Sequence, residues 1–410
     1  MMTPMRRFLP LVLAISLVAA ACGDDTSTGD TSPDTTSTTT TAATSSTTST
    51  APPATSAPEA KPEITLLGRG EYSVGVATIT VTDENRERPL TVDVWFPLAD
   101  GVTGEPHRYS FITGDYYESP LAISADATAL ATDGPFPLVV YSHGSGGIRY
   151  IHSDYTETIA SHGYVVVAPD HTGNTAVERI ADTADDSARI ALNRPLDIRA
   201  VIDAFLDPTD TETAPFQPAI DADHIALTGH SFGGFTTYAT SAGYENELGV
   251  VEADDRIDAL IPLAPAVGAG GADSLLSDED LARVTVPALV IVGTDDKTTP
   301  LDPNVTRAWD LTNSEPQYRL ELIAGEHQSF TDLCAYLDFF DQLEAPTPIV
   351  LETIETMAVE GCSPEDMASE RVQELTNTFA VTFLDSVFGD AEMFTPDAFV
   401  LPDDVNYLAK

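Results

Sequence analysis

Ile225-Ala226-Leu227-Thr228-Gly229-His230-Ser231-Phe232-Gly233-Gly234 reads as a buried apolar strand that stops at a serine bracketed by glycines, directly ahead of a helix-compatible segment. Strand, sharp turn and helix in that order are what a G-x-S-x-G nucleophile elbow requires. A serine hydroxyl is a weak nucleophile at neutral pH. It must project from a tight turn where a histidine can take its proton and backbone N–H groups can receive the developing oxyanion. The flanking glycines let such a turn close.

Outward from the elbow, apolar runs alternate with helical periodicity, the pattern of a mostly parallel sheet flanked by helices. On the N-terminal side, Val74 to Val81 and Leu90 to Phe96 read as an antiparallel pair at a sheet edge. Phe136 to Tyr141 reads as a buried strand, followed by a helix over Ile151 to Ser161 and a strand over Tyr164 to Ala168. Ile198, Val201, Ile202 and Phe205 share one face of a helix expected from Pro195 to Phe205. Beyond the elbow come strands Ala259 to Leu263, Ala288 to Val292 and Arg319 to Ile323. Gly268 to Val284, small and acidic, reads as a lid insertion, and helices over Pro348 to Glu360 and Pro364 to Phe388 form a C-terminal extension.

In open α/β sheets ligands bind at the carboxyl ends of strands, so the chemistry belongs in the loops that follow them. After Ala288 to Val292 comes Gly293-Thr294-Asp295-Asp296-Lys297, and after the next strand comes Ala324-Gly325-Glu326-His327. The resulting order, Ser231, Asp296, His327, is the chain order of an α/β-hydrolase triad. Of the eight histidines, only His327 follows both the serine and the acid, whereas His162, His171 and His224 read as hydrogen-bonded structural residues. Asp296 is preferred to Asp295 because it stands four residues before Pro300; Asp295 is the alternative. Two amides are needed for the oxyanion. Phe232, next to the serine, supplies one, and the glycine-rich loop Ser142-His143-Gly144-Ser145-Gly146-Gly147 supplies the other, assigned to Ser145.

Composition bounds the setting. Arg6 and Arg7, an apolar run from Phe8 to Val18, and Ala19-Ala20-Ala21 before Cys22 form an export signal over residues 1–21, with Cys22 as a lipidation site or, failing that, plain secretion. Residues 22–62 are rich in Thr, Ser, Ala and Pro with no aromatic residue, so they cannot bury enough apolar surface to offset ordering entropy and read as a disordered tether. Residues 63–410 are the expected catalytic domain. The net charge is −46, and it becomes −48 once the two leader arginines are removed. With only three lysines, Lys61, Lys297 and Lys410, nucleic acid is excluded as a partner, and a membrane is approached only through a lipid on Cys22. Cys334 and Cys362 are then an even pair in an oxidising compartment and are expected to be disulfide-bonded, the alternative being two buried thiols.

Taken together, Ser142-His143-Gly144-Ser145-Gly146, Ala160-Ser161-His162-Gly163-Tyr164-Val165-Val166, Pro169-Asp170-His171, Gly229 to Gly234 and His327-Gln328-Ser329-Phe330 resemble the platelet-activating-factor acetylhydrolase and dienelactone-hydrolase-like branch of the α/β-hydrolases. The likeness covers most of residues 70–340. It implies the same triad and oxyanion positions, no metal or organic cofactor, and ester substrates with short or accessible acyl groups. Position 231 is serine where a dienelactone hydrolase proper has cysteine, which argues against that reaction. The expectation is a monomeric, surface-tethered serine carboxylesterase. A polyester or lipid-ester hydrolase and a non-catalytic binding lipoprotein on the same fold are the alternatives.

Overall fold

The computed structural model describes residues 61–111, 116–268, 270, 274–340 and 348–410; the expected leader, tether and Cys22 lie outside the described residues. The strands, in chain order, are β1 (Val74–Asp83), β2 (Arg88–Pro97), β3 (Pro106–Ser110), β4 (Tyr116–Ser124), β5 (Phe136–Ser142), β6 (Val165–Pro169) and β7 (Ile220–His230). They continue with β8 (Tyr244–Asn246), β9 (Gly249–Val251), β10 (Ala259–Leu263), β11 (Ala288–Gly293), β12 (Gln317–Leu322) and β13 (Val405–Ala409). Helices α1 (Ser153–Ser161), α2 (Ala176–Ala181), α3 (Ser187–Leu206), α4 (Phe232–Ala242) and α5 (Asp278–Ala282) precede α6 (Thr306–Leu311), α7 (Leu333–Phe340), α8 (Pro348–Ala358) and α9 (Ser369–Phe388).

Among the described residues, eleven strands form one sheet in the order β13-β12-β11-β10-β7-β5-β6-β2-β1-β4-β3, and β8 and β9 make a separate hairpin. The centre, from β6 through β5, β7, β10 and β11 to β12, is parallel. Its strands are buried on both faces, and the period-two alternation sorts their side chains into two cores. Leu138 and Val140 of β5 join Val165 and Val167 of β6 under α3 and α4, where Ile198, Val201, Ile202 and Phe205 of α3 are buried. Val139, Tyr141, Val166 and Ala168 point to the opposite face, under α1 and α9, with Ile159, Phe379 and Phe383. Each fully buried aliphatic or aromatic side chain contributes about 2 kcal/mol relative to exposure.

Four features depart from the sequence-based expectation. The β1–β2 pair is antiparallel as expected but is not at an edge, because β4 pairs parallel to β1 and β3 lies outside it. The chain also ends in a strand rather than in helices: β13 runs antiparallel to β12 and closes the other edge. Helix α3 begins at Ser187 and not at Pro195; the Asp186 side chain caps it by accepting from the Arg189 amide at 2.9 Å, and Pro195 is buried inside. Finally, within the expected lid, residues 274–284 form a docked wall: Leu276, Leu281 and Val284 are buried in the core, and Arg307 donates to the Leu276 carbonyl at 2.9 Å.

Cys334 and Cys362 are joined by a disulfide. It ties α7, just after the His327 loop, to the segment following α8, and the Gln328 amide donates to the Glu360 carbonyl at 2.7 Å beside it. The C-terminal extension is thereby fastened to the loop that carries the histidine.

Candidate active site

Register explains why four loops converge. Ser142 at the end of β5 pairs with Gly229 near the end of β7, His230 pairs with Leu263 of β10, and Gly293 of β11 pairs with Leu322 of β12. The loops after β5, β7, β11 and β12 therefore leave the sheet from one rim.

Ser231 occupies the turn between β7 and α4 with φ 58° and ψ −116°, a conformation that L-residues avoid and that costs on the order of 1–3 kcal/mol. Backbone bonds on both sides hold it: the Ser231 amide donates to the Leu263 carbonyl at 2.9 Å, and the Ala266 amide donates to the Ser231 carbonyl at 2.9 Å. Gly233 is required by close approach, since a Cβ there would collide with the Ser142 carbonyl. The elbow thus packs directly on the loop assigned to the oxyanion.

His327 lies on a single helical turn after β12 and is 2 % exposed. Its Nδ1–H donates to Asp296 Oδ2 at 2.8 Å, which leaves Nε2 with its lone pair. Asp296 is buried, and the amides of Thr298 and Thr299 donate to its Oδ1 at 2.9 and 2.7 Å. Burial acts to raise this carboxyl, but the hydrogen bonds from His327 and Thr299 outweigh it and hold the group below its ordinary value, hence ionised. Asp295 is exposed, and its carboxylate accepts from Thr294 Oγ1 at 3.0 Å. Of the two adjacent aspartates, the structure brings Asp296 to the histidine.

The amides of Phe232 and Ser145 donate no hydrogen bond to another described residue. Phe232 opens α4, where the free N–H groups and the helix dipole favour negative charge. Ser145 is exposed, and its Oγ accepts from Asn174 Nδ2 at 3.1 Å.

The sequence reading did not pick out the braces of this loop. Arg194, fully buried on α3, donates to Asn174 Oδ1 at 2.9 Å, to Ser142 Oγ at 3.3 Å and to the His143 carbonyl. Burial pulls its guanidinium down to about 9, so it is still charged at neutral pH, and it lies 5.3 Å from the Phe232 ring. Ser142 in turn meets His171 Nε2 at 2.9 Å, and His171 Nδ1–H donates to Asp197 at 3.1 Å, where Arg86 and Arg88 also bind. Burial pushes His171 down to about 4, so it serves as a neutral link. His162 and His224 bond the Gly68 carbonyl and Asp221 away from the site.

A second omission is a row of three mutually tilted histidine rings. His230 and His327 have ring centroids 4.6 Å apart, and His152 follows 4.9 Å beyond His230. His230 Nε2–H donates to the His327 carbonyl at 2.8 Å. The residue before the serine therefore grips the backbone of His327, the candidate base. Its only signal in the sequence was its place inside the G-x-S-x-G motif.

This fold and rim define an α/β-hydrolase. The family model for platelet-activating factor acetylhydrolase, isoform II, matches residues 109–201, the stretch that carries the glycine-rich loop after β5 and most of α3. Chlorophyllase type 0 of Chenopodium album is 26% identical over 194 residues, covering 46% of this chain and 50% of the relative. The platelet-activating factor acetylhydrolase of Bos taurus is 28% identical over 230 residues, 42% of this chain and 51% of the relative. The chain thus spans about half the length of the curated relatives it matches. A ferulic acid esterase from Streptomyces cinnamoneus shares the fold, with a TM-score of 0.59 and 21% identity over 85% of this chain and 100% of that one. These likenesses run to platelet-activating factor acetylhydrolases and chlorophyllases in sequence and to the α/β-hydrolase fold in structure.

Proposed function

We propose that the protein is a serine carboxylesterase, exported and held at the cell surface through a lipid on Cys22. The observation that carries the catalytic part is the bond from His327 Nδ1–H to a buried, ionised Asp296 on the rim where Ser231 sits in its strained turn. In this mechanism Ser231 Oγ attacks the ester carbonyl carbon and its proton passes to His327 Nε2, while Asp296 stabilises the imidazolium. The carbonyl oxygen becomes an oxyanion received by the amides of Phe232 and Ser145. Collapse of the tetrahedral intermediate returns the proton to the departing alcohol and leaves an acyl-enzyme. A water, deprotonated by His327, then cleaves the acyl-enzyme and releases the acid.

The test is Ser231→Ala, which removes the nucleophile and leaves almost no cavity. Hydrolysis of p-nitrophenyl acetate should fall on the order of 10⁴-fold with an unchanged melting temperature. Activity above a tenth of wild type in the variant overturns the assignment, as does a wild-type serine that a fluorophosphonate probe does not label.

A further inference from the structure

We infer that a cavity of about 240 Å³ beside the oxyanion loop is the site for one organic arm of the ester, and that it selects a neutral, apolar arm between a phenyl ring and an octyl chain in size. The inference rests on the serine esterase reading above and names the class of substrate that this site takes.

The cavity adjoins the candidate active site along the loop after β5. Gly146 and Gly147, immediately after Ser145, form one side, and the Gly146 amide donates to the Asn174 carbonyl at 3.2 Å. The opposite wall is Leu333, on the helix after the His327 turn, with Ile354 and Met357 of α8. Ile151, also on the wall, precedes His152, the outer member of the row of histidine rings that ends at His327. An arm lying here therefore extends from a carbonyl held between Ser231 and the loop amides.

Size and polarity define the arm. A dry apolar cavity of about 150 Å³ accepts benzene, so this one accommodates a ring and several further carbons. Its lining is aliphatic and aromatic apart from a few polar residues, chief among them Arg149 and Asp170. Arg149 is spent on two carboxylates, with Nη1 2.7 Å from Asp170 and Nε 2.9 Å from Asp93. No positive charge is left over to receive an anionic arm, and the chain's net charge of −46 disfavours one. At the mouth stand Val177 and Ile180 of α2, 45 % and 39 % exposed, two of the few large apolar side chains that the described surface leaves open. An exposed apolar pair at the lip of an apolar cavity marks an entry for apolar matter.

The experiment measures kcat/KM on two matched series with the full chain: p-nitrophenyl esters from acetate to octanoate, and acetate esters from ethyl to octyl and benzyl. In one of the two series kcat/KM should rise at least tenfold from the two-carbon to the eight-carbon arm, about threefold or more for each methylene that becomes fully buried. A terminal carboxylate on the long arm should cancel that rise. Met357→Trp, which fills the cavity, and Ile180→Asp, which charges its mouth, should each cut the long-to-short ratio at least tenfold, with melting temperatures read alongside. Flat profiles in both series, or ratios unmoved in both variants, overturn the cavity assignment if Ser231-dependent turnover of the acetates persists. Absence of any Ser231-dependent ester hydrolysis overturns the esterase reading instead.

Discussion

His230 Nε2–H donates to the backbone carbonyl of His327 at 2.8 Å, so the residue preceding the candidate nucleophile fixes the main chain of the candidate base. Burial drives the His230 imidazole well below its ordinary value, and His327 and His152 push it the same way. A neutral ring there lets His327 become an imidazolium without a like charge 4.6 Å away. His230→Phe keeps a ring but strands the carbonyl, which should cost about 1–3 kcal/mol of stability and lower kcat roughly 10- to 100-fold with little change in KM. His230→Gln, whose amide can reach the same carbonyl, should recover most of the loss. Steady-state kinetics on a short p-nitrophenyl ester distinguish the two. If His230→Phe lowers kcat less than twofold, the grip has no catalytic consequence.

Asp296 and Asp295 are adjacent in sequence but point into different environments, one accepting from buried His327 and the other lying in solvent. Asp296→Asn should reduce kcat by about two orders of magnitude more than Asp295→Asn, because an amide favours the wrong imidazole tautomer and cannot stabilise its charge. Equal losses in the two variants contradict the arrangement.

Much of this was legible in the sequence for a physical reason. Central parallel strands are buried on both faces and read as continuous apolar runs, which is why Phe136 to Tyr141, Ile225 to Leu227 and Ala288 to Val292 stand out and why the glycine-rich segment, the serine and the acid are legible in the loops that follow them. Edge strands lack that signature. Tyr116–Ser124 carries Glu118 and Pro120 and buries only Ser119 and Ala122, and Pro106–Ser110 buries only Tyr109, so neither run announces a strand. The helix expected from Pro195 starts at Ser187, anchored by the Asp186 cap and by the buried Arg194 and Asp197. Those two residues carry no local signal at all. Their role appears only when α3 crosses beneath the loop after β5, a contact between segments some fifty residues apart.

Glu157 gives the pH dependence of stability a sign that can be checked. It is 1 % exposed on α1 and accepts from Tyr109 Oη at 2.6 Å and Ser119 Oγ at 2.7 Å. Burial raises it from 4.5 to about 7, against the pull of those two donors. A carboxyl whose pKa is higher in the folded than in the unfolded state favours folding when protonated, and that contribution is lost as pH rises through about 7. The loss amounts to about 3 kcal/mol across the full shift. Glu157→Gln removes this titration, so the variant's melting temperature relative to wild type should climb by several degrees between pH 5 and pH 8.5. A difference that stays constant over that range counts against a raised Glu157.

Arg194 reaches the loop after β5 at Ser142 and His143 and also binds Asn174, and its planar fork is what allows one side chain to bind both the Asn174 amide oxygen and the His143 carbonyl. Asn174 passes the constraint on to Ser145 through its Nδ2. Arg194 is thus a positioning residue, acting on the loop and not on the substrate. Arg194→Met strands several buried acceptors and should melt substantially earlier, so the informative variant is Arg194→Lys, which keeps the charge and loses the fork. Its kcat should fall at least tenfold with KM within about threefold of wild type, since misplacing an oxyanion donor weakens binding of the transition state and not of the ester. Asn174→Ala should give a similar loss, and combining it with Arg194→Lys should add little, because both act on Ser145 through one chain of bonds. If Arg194→Lys turns over at wild-type rate, the loop holds its shape without the fork, and the bracing assigned to Arg194 is wrong.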